Sequence, residues 1–194
     1  MICVSIQHTE LEEIFQFLET VEMAEIRLDR CGLDDEEIDQ LFSATDVPLV
    51  ATCRMSEEPG APEILERAIK AGAKYADLEM EAPAAVGRRI REDCRTAGTV
   101  LIRAYHNFEN TPPLPVLRSI MERMRSYGGE IVKIVTTAHS KADIDTVMAL
   151  YKEAAPGTLI AFAMGDEGRE SRLEALRRGA PYTYACLSEE DAAA

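Results

Sequence analysis

The stretch that decides the fold is IVKIVTTAHSKADIDTVMALYKEAAPGTLIAFAM, residues 131–164. It begins with the apolar run Ile131–Val135, continues through an amphipathic segment, and ends with the apolar run Leu159–Met164. Short apolar runs rich in β-branched side chains predict buried strands, and the longer segment between them predicts a helix. Two buried strands joined by a helix predict a right-handed βαβ unit of a parallel sheet.

The same alternation extends along the whole chain and predicts eight strands separated by seven helices. The predicted strands are Ile2–Ile6, Met23–Leu28, Leu49–Cys53, Tyr75–Met80, Thr99–Tyr105, Ile131–Val135, Leu159–Met164 and Tyr182–Leu187. The predicted fold class is therefore α/β, a (β/α)8 TIM barrel that fills residues 1–194 as a single domain. The chain is short for a barrel, which usually needs about 250 residues, and it stops without a helix after the last strand. An open doubly wound sheet is the alternative.

Residues that begin or end helices separate these runs. Asp34 and Ser140 are predicted N-caps. Prolines near two helix starts and glycines at four helix ends support the same boundaries. These residues are Pro62, Pro115, Gly72, Gly98, Gly128 and Gly179.

Composition and charge exclude several classes of partner. The chain has 21 basic and 35 acidic residues, a net charge of -14, which disfavours nucleic acid and anionic membranes. No leader follows Met1, and no apolar run approaches the roughly 18 residues of a membrane helix. Five cysteines without a CxxC pair predict reduced thiols. We therefore expect a soluble cytoplasmic protein.

Lys133 is the unexpected residue in this pattern, because it interrupts an otherwise apolar strand. A buried ammonium costs several kcal/mol unless it is paired or neutralised. An edge strand with a snorkelling lysine is the simpler interpretation. However, five consecutive predicted strands, the second to the sixth, carry ionisable residues on one face near the strand end. Because barrel active sites collect at the carboxyl ends of the strands, this pattern favours a charged pocket.

The residue types in this pocket limit its chemistry. The three histidines, His8, His106 and His139, lack the spacing of a zinc site, so no metal is expected. The segment MGDEG lacks the pattern of a nucleotide-binding loop. A desolvated lysine amine can attack a ketone or aldehyde and form a Schiff base, whose iminium acidifies neighbouring C–H bonds without a cofactor. A histidine at a neighbouring strand end can carry the proton.

Six segments, in this order and spacing, resemble the type I 3-dehydroquinate dehydratases, Schiff-base enzymes of the shikimate pathway. They are EIRLDR, ATCR, YADLEME, RAYHNF, VKIVTTAHS and AMGDEGRESR. The resemblance implies a (β/α)8 barrel, usually a homodimer. It also implies conversion of 3-dehydroquinate to 3-dehydroshikimate by syn elimination of water, without a metal or cofactor.

The resemblance also assigns roles to individual residues. It makes Lys133 the amine that condenses with the ketone, His106 the proton carrier, and Glu58 the carboxylate that orients and charges this histidine. Arg172 is expected to bind the substrate carboxylate through a bidentate pair. Glu25, Arg27 and Arg54 match positions that bind ring hydroxyls or balance charge. The apolar residues that match the walls of the ring site are Phe108, Met164 and Phe162.

The C-terminal segment departs from the family pattern. Ala193 and Ala194 stand where a closing loop with serine and glutamine is expected to begin, and the final helix is absent. Two alternatives are left open: a class I aldolase, which also uses a barrel lysine, and a non-catalytic barrel that has lost its lid. A sugar-phosphate aldolase would need a phosphate site near the segment MGDEGRESR.

Overall fold

The computed structural model describes residues 1–187, and these divide into two compact units. The second unit spans 102–183, and the first contains the rest of the described chain. Strands and helices alternate, as the sequence predicts, except that two helices rather than one follow the second strand. Within residues 1–187, no helix is long and apolar enough to cross a membrane.

Eight strands and eight α-helices occur in the described residues. The strands are β1 (Ile2–Ile6), β2 (Ala24–Arg27), β3 (Leu49–Thr52), β4 (Tyr75–Glu79), β5 (Val100–His106), β6 (Ile131–Thr137), β7 (Leu159–Met164) and β8 (Thr183–Cys186). The helices are α1 (Leu11–Leu18), α2 (Leu28–Cys31), α3 (Asp35–Ser43), α4 (Ala61–Ala71), α5 (Ala84–Ala97), α6 (Leu114–Ser126), α7 (Lys141–Ala149) and α8 (Ser171–Arg177), and a 3₁₀ helix covers Leu150–Glu153.

The first unit is a parallel sheet in the order β4-β3-β2-β1-β8, with helices packed against it. Aligned residues define its register: Ile26 lies beside Ala51, and Ala51 lies beside Ala76. These three side chains belong to the buried apolar core of the unit. Alternate strand positions therefore face the helices, and the positions between them face the other side of the sheet.

The second unit is a parallel sheet of β5, β6 and β7 in that order. Helix α6 buries Leu117, Met121 and Met124, which recur on one helical stripe. Arg103 of β5 is buried as deeply as the apolar core, and its guanidinium lies 5.8 Å from the centre of the Tyr127 ring. A side chain at Gly129 would collide with that of Arg103, which explains a glycine there.

The predicted boundaries hold for β1 and β7 and differ by one or two residues elsewhere. The largest difference is in β6, which continues two residues further, to Thr137. Strand β2 ends one residue early, at Arg27, because Leu28–Cys31 turns into the short helix α2, which the sequence did not predict. Asp34 forms a full capping box with Glu37, as predicted for an N-cap. Ser140 stands at the N-cap position of α7, but its hydroxyl caps no backbone amide and instead donates to Asp143. Its prediction as a capping side chain is wrong.

The predicted absence of a closing loop and final helix concerns the chain after residue 187. That segment, which includes Ala193 and Ala194, lies outside the described residues.

Candidate active site

The second unit brings Lys133, His106, Phe162 and Met164 onto one face of its sheet. Lys133 aligns with Ala104 and Ile160, and two residues further along, the aligned set is His106, Val135 and Phe162. Side chains at i and i+2 share a face, so each step of two residues along the strands forms one layer of this face. Lys133 lies one layer closer to the strand starts than His106 and Phe162, and Met164 lies one layer closer to the strand ends. Lys133 is 4% exposed, which excludes the snorkelling interpretation.

Two further predicted residues lie beside this face. The guanidinium of Arg172, at the start of α8, lies 4.8 Å from the centre of the Phe162 ring, within the range of a cation–π contact. The rings of His106 and Phe108 stack at a centroid distance of 6.0 Å. Phe108 is 66% exposed, so it flanks the face rather than filling a core.

The start of α8 is fixed by its neighbour Ser171. The buried Ser171 hydroxyl accepts a hydrogen bond from the Ala163 backbone amide at 2.9 Å and donates to the Gly168 carbonyl. A Cβ at Gly168 would come closer than 3.0 Å to the carbonyl oxygens of Met164 and Ala163. Only glycine therefore lets the loop fold back on the end of β7 and place Arg172 there.

The first unit carries Glu25, Arg27 and Arg54 on or just beyond one face of its own sheet. Glu25 is 6% exposed, and its two carboxylate oxygens accept hydrogen bonds from the hydroxyls of Ser5 at 2.7 Å and Thr52 at 3.0 Å. A buried carboxylate with both oxygens hydrogen-bonded is a fixed acceptor.

The two arginines of this face are each bound by a carboxylate. Arg27 forms a bidentate pair with Asp29, at 3.1 and 2.6 Å, and Arg54 binds Glu79 at 2.9 Å. Burial acts to lower the pKa of Arg27, but the hydrogen bond and charge of Asp29 outweigh it, and the pKa is raised. The pKa of Arg54 is raised in the same way, since the charges of Asp77 and Glu79 outweigh its burial. Both arginine side chains therefore stay positively charged at neutral pH.

Glu58 lies in the loop between β3 and α4 rather than on the sheet. Its carboxylate accepts a hydrogen bond from the Gly60 amide at 2.9 Å, and its own amide donates to the Arg54 carbonyl at 2.9 Å. Glu58 is half-buried, so its carboxylate is not fully surrounded by solvent.

The sequence did not single out the contact between Arg30 and Glu57, which lies beside the predicted residue Arg27. Arg30 donates to both oxygens of Glu57, at 2.9 and 3.2 Å, and Arg27 reaches the same carboxylate at 3.4 Å. Arg30 belongs to the short helix α2 and Glu57 to the loop between β3 and α4, so no periodic pattern relates them. The only signal was the high charge density of the segments RLDR and RMSEE.

A cleft between α3 and α4 has a volume of about 640 Å³ but lacks this chemistry. Arg67 on its wall is bound by Asp35 and Asp39, each at 2.8 Å. The charges of this cleft are therefore already matched, and we assign no site to it.

Comparison with solved structures defines the fold class. The chain superposes on a type I 3-dehydroquinate dehydratase from Clostridium difficile, solved with covalently modified comenic acid, at a TM-score of 0.84 and 20% identity, over 96% of this chain and 84% of that one. For a 3-dehydroquinate dehydratase from Aquifex aeolicus the TM-score is 0.82 at 25% identity, over 97% and 90% of the two chains. The chain is thus an α/β protein of the (β/α)8 barrel class, as predicted.

Sequence comparison gives the family. A 3-dehydroquinate dehydratase from Desulfotalea psychrophila is 35% identical over 175 residues, 85% of this chain and 76% of the relative. The model of the family described as type I 3-dehydroquinase matches residues 2–194. The chain belongs to the type I 3-dehydroquinase family, which makes it a carbon–oxygen lyase of the shikimate pathway.

Proposed function

We propose that the chain dehydrates 3-dehydroquinate to 3-dehydroshikimate through a Schiff base on Lys133. The observation that carries the proposal is a lysine with only 4% exposure, one layer below a histidine on the same face of a parallel sheet. A purely structural sheet has no use for a buried lysine, because desolvation of the ammonium costs several kcal/mol.

The proposed reaction passes through an iminium and an enamine on Lys133. The neutral Lys133 amine attacks the ketone carbon, and the carbonyl oxygen leaves as water after taking up one proton from solvent, which gives a cationic iminium; the final hydrolysis returns that proton to solvent. His106 removes the proton on the neighbouring carbon, and the C–H electron pair moves into the iminium to form an enamine. The enamine expels the β-hydroxyl, which leaves as water with the proton from His106. Hydrolysis of the conjugated iminium then releases the enone and frees Lys133.

The other residues supply binding and orientation in this proposal. Arg172 holds the substrate carboxylate, and its planar guanidinium suits a bidentate pair. Phe162, Met164 and Phe108 provide apolar contact beside the reacting groups. Glu25, Arg27 and Arg54 are proposed to bind ring hydroxyls or balance charge, and Glu58 to orient and charge His106. The covalent ligand of the Clostridium difficile relative supports covalent chemistry in such a barrel.

The test compares the native chain with Lys133→Met, which keeps the apolar stem of the side chain, and with Lys152→Met, an exposed control. Enone absorbance follows 3-dehydroshikimate formation. We expect Lys133→Met to lose at least about a thousandfold in kcat and Lys152→Met to match the native chain. Equal turnover by native chain and Lys133→Met would refute the proposal.

Borohydride trapping distinguishes the alternatives, because it reduces an iminium to a stable secondary amine. The proposal predicts a 3-dehydroquinate adduct on the peptide that contains Lys133. An aldolase would also trap short aldehyde or ketone phosphates, whereas a non-catalytic barrel would trap nothing.

Three further features that the sequence analysis predicts stay predictions. They are a homodimer, a cytoplasmic location, and a reaction without metal or cofactor.

A further inference from the structure

The Glu57 carboxylate is held by two arginines from another part of the chain. Arg30, in the short helix α2, donates from Nε to one oxygen at 2.9 Å and from an Nη to the other at 3.2 Å. Arg27, at the end of β2, reaches the same carboxylate at 3.4 Å. The hydrogen bond from Arg30 lowers the pKa of Glu57, and the charges of Arg27 and Arg30 act in the same direction. The contact therefore keeps its charge across the neutral range.

Arg30 is itself fixed before it meets Glu57. Its second Nη donates to the side chain of Gln7 at 3.0 Å, and its Nε lies 3.9 Å from Asp29. The Asp29 side chain is fully buried and also binds Arg27. A guanidinium already held by two other groups loses little further freedom when it binds a carboxylate. This distinguishes the contact from an ordinary surface ion pair.

The loop that carries Glu57 also carries Glu58. The amides of both residues donate to the Arg54 carbonyl, at 3.1 and 2.9 Å, which makes residues 54–58 a tight turn. On one side the turn is fixed to β4, because Glu79 binds the Arg54 side chain and accepts from the Met55 amide. On the other side its anchor is Glu57. Release of Glu57 leaves the turn attached on one side.

We propose that Arg30 and Glu57 form a clamp that positions Glu58 for the reaction. The proposal rests on the proposed function of Glu58 and adds two positioning residues that do not touch substrate themselves. The clamp acts by holding the turn so that the Glu58 carboxylate stays in one orientation. A catalytic group displaced by about 1 Å can cost up to about a hundredfold in rate.

The kinetic test uses Arg30→Met, which removes the guanidinium but keeps an apolar side chain. We expect kcat to fall about three- to tenfold, with KM changed less than about twofold, since the substrate contacts are left in place. Arg30→Lys should restore part of the lost kcat, because lysine keeps the positive charge but not the planar guanidinium that binds both carboxylate oxygens. The double variant Arg30→Met with Glu57→Gln should be no worse than the poorer single variant, as expected for two residues of one clamp.

The matched control is Arg118→Met. Arg118 binds Glu153 at 2.7 Å, which is also an ion pair between separate parts of the chain, and Glu153 is as exposed as Glu57, with side-chain values of 37% and 38%. Because this pair holds no catalytic loop, its loss should leave kcat unchanged.

A second measurement does not depend on enzyme activity. Hydrogen–deuterium exchange of a peptide spanning residues 54–61 reports the amides of Glu57, Glu58 and Gly60, all hydrogen-bonded in the turn. We expect exchange in this peptide to be about tenfold faster in Arg30→Met and unchanged in Arg118→Met. The exchange result therefore tests the clamp even if the native chain proves inactive.

The two measurements separate the possible outcomes. Faster exchange together with a lower kcat supports the clamp. Unchanged exchange refutes it, whatever the kinetics show. Faster exchange with an unchanged kcat in an active enzyme also refutes it. In that case the Arg30 contact would stabilise the turn, but the reaction would not depend on it.

Discussion

Burial controls the chemistry of Cys53. Cys53 ends the apolar run of β3 and is 4% exposed. Burial, with smaller contributions from the charges of Asp29 and Glu58, raises the pKa of its thiol from 9.0 to about 12. The thiolate is the reactive form, so Cys53 is inert at neutral pH. Cys186, at the end of β8, is exposed.

Alkylation should show this difference directly. With iodoacetamide at pH 8, we expect Cys186 to be labelled in the native protein and Cys53 to be protected, whereas denaturant should expose both. Mass spectrometry of the peptides gives the extent of labelling. Cys53 labelled as fast as Cys186 would contradict its burial. Because folding raises the pKa of Cys53, its thiol should also lower the free energy of unfolding as pH rises from 9.0 towards about 12.

Strand periodicity accounts for the shared face of Lys133 and His106, because aligned strands with a period of two bring such residues onto one side of the sheet. Phe162, by contrast, was named only through the family resemblance. The sequence did not show that Arg103 is buried, because the ring that packs against its guanidinium, Tyr127, lies at the end of a helix. The contact between Arg30 and Glu57 joins a one-turn helix to a loop, and neither is long enough to show a hydrophobic period.

Helix starts differ in how well a single residue predicts them. Asp34 accepts from the amides of Glu36 and Glu37, both at 2.9 Å, and Glu37 accepts from the Asp34 amide in return. At the start of α7, Asp143 occupies the hydroxyl of Ser140 and the amide of His139. A serine at an N-cap position therefore does not guarantee a cap, because a nearby carboxylate is the stronger acceptor.

Alanine at each position should separate the two cases. We expect Asp34→Ala to lower the free energy of unfolding by about 1 kcal/mol, because two amides lose their acceptor. Ser140→Ala should cost less than about 0.5 kcal/mol, since only an exposed hydroxyl is lost. Urea unfolding gives both values. Equal losses at the two sites would show that the Asp34 capping box has no special effect.

For the whole molecule, we propose the single domain that the sequence predicts. The boundary between the two compact units falls within β5, after Leu101, and within β8, after Thr183. Domain boundaries usually fall in exposed linkers, so a division inside two strands is unlike a boundary between domains.

Calorimetry tests this proposal. We expect one thermal transition with equal calorimetric and van't Hoff enthalpies, because unfolding of one unit would break strands that continue into the other. Exchange in peptides from α4 and α6, one from each unit, should then become rapid at the same urea concentration. Two separate transitions would show two domains.

Strand number and fold class were accessible from the sequence because both depend on repeated local patterns. The points where strands end were less so: β2 stops at Arg27, where the Asp29 carboxylate turns back to bind that arginine. Here the backbone hydrogen bonds of a longer strand compete with the contact between two side chains. Three-dimensional geometry decides which forms, and hydrophobic periodicity does not encode that geometry.

The turn at the start of α8 has a consequence for the cost of binding. Ser171 and the close approach at Gly168 fix the backbone that carries Arg172, and the Phe162 ring supports its guanidinium. An arginine on a free loop would lose rotational entropy when it captured an anion. Here that loss occurs on folding. The carboxylate that we propose Arg172 binds would therefore meet a guanidinium whose position is set before the ligand arrives.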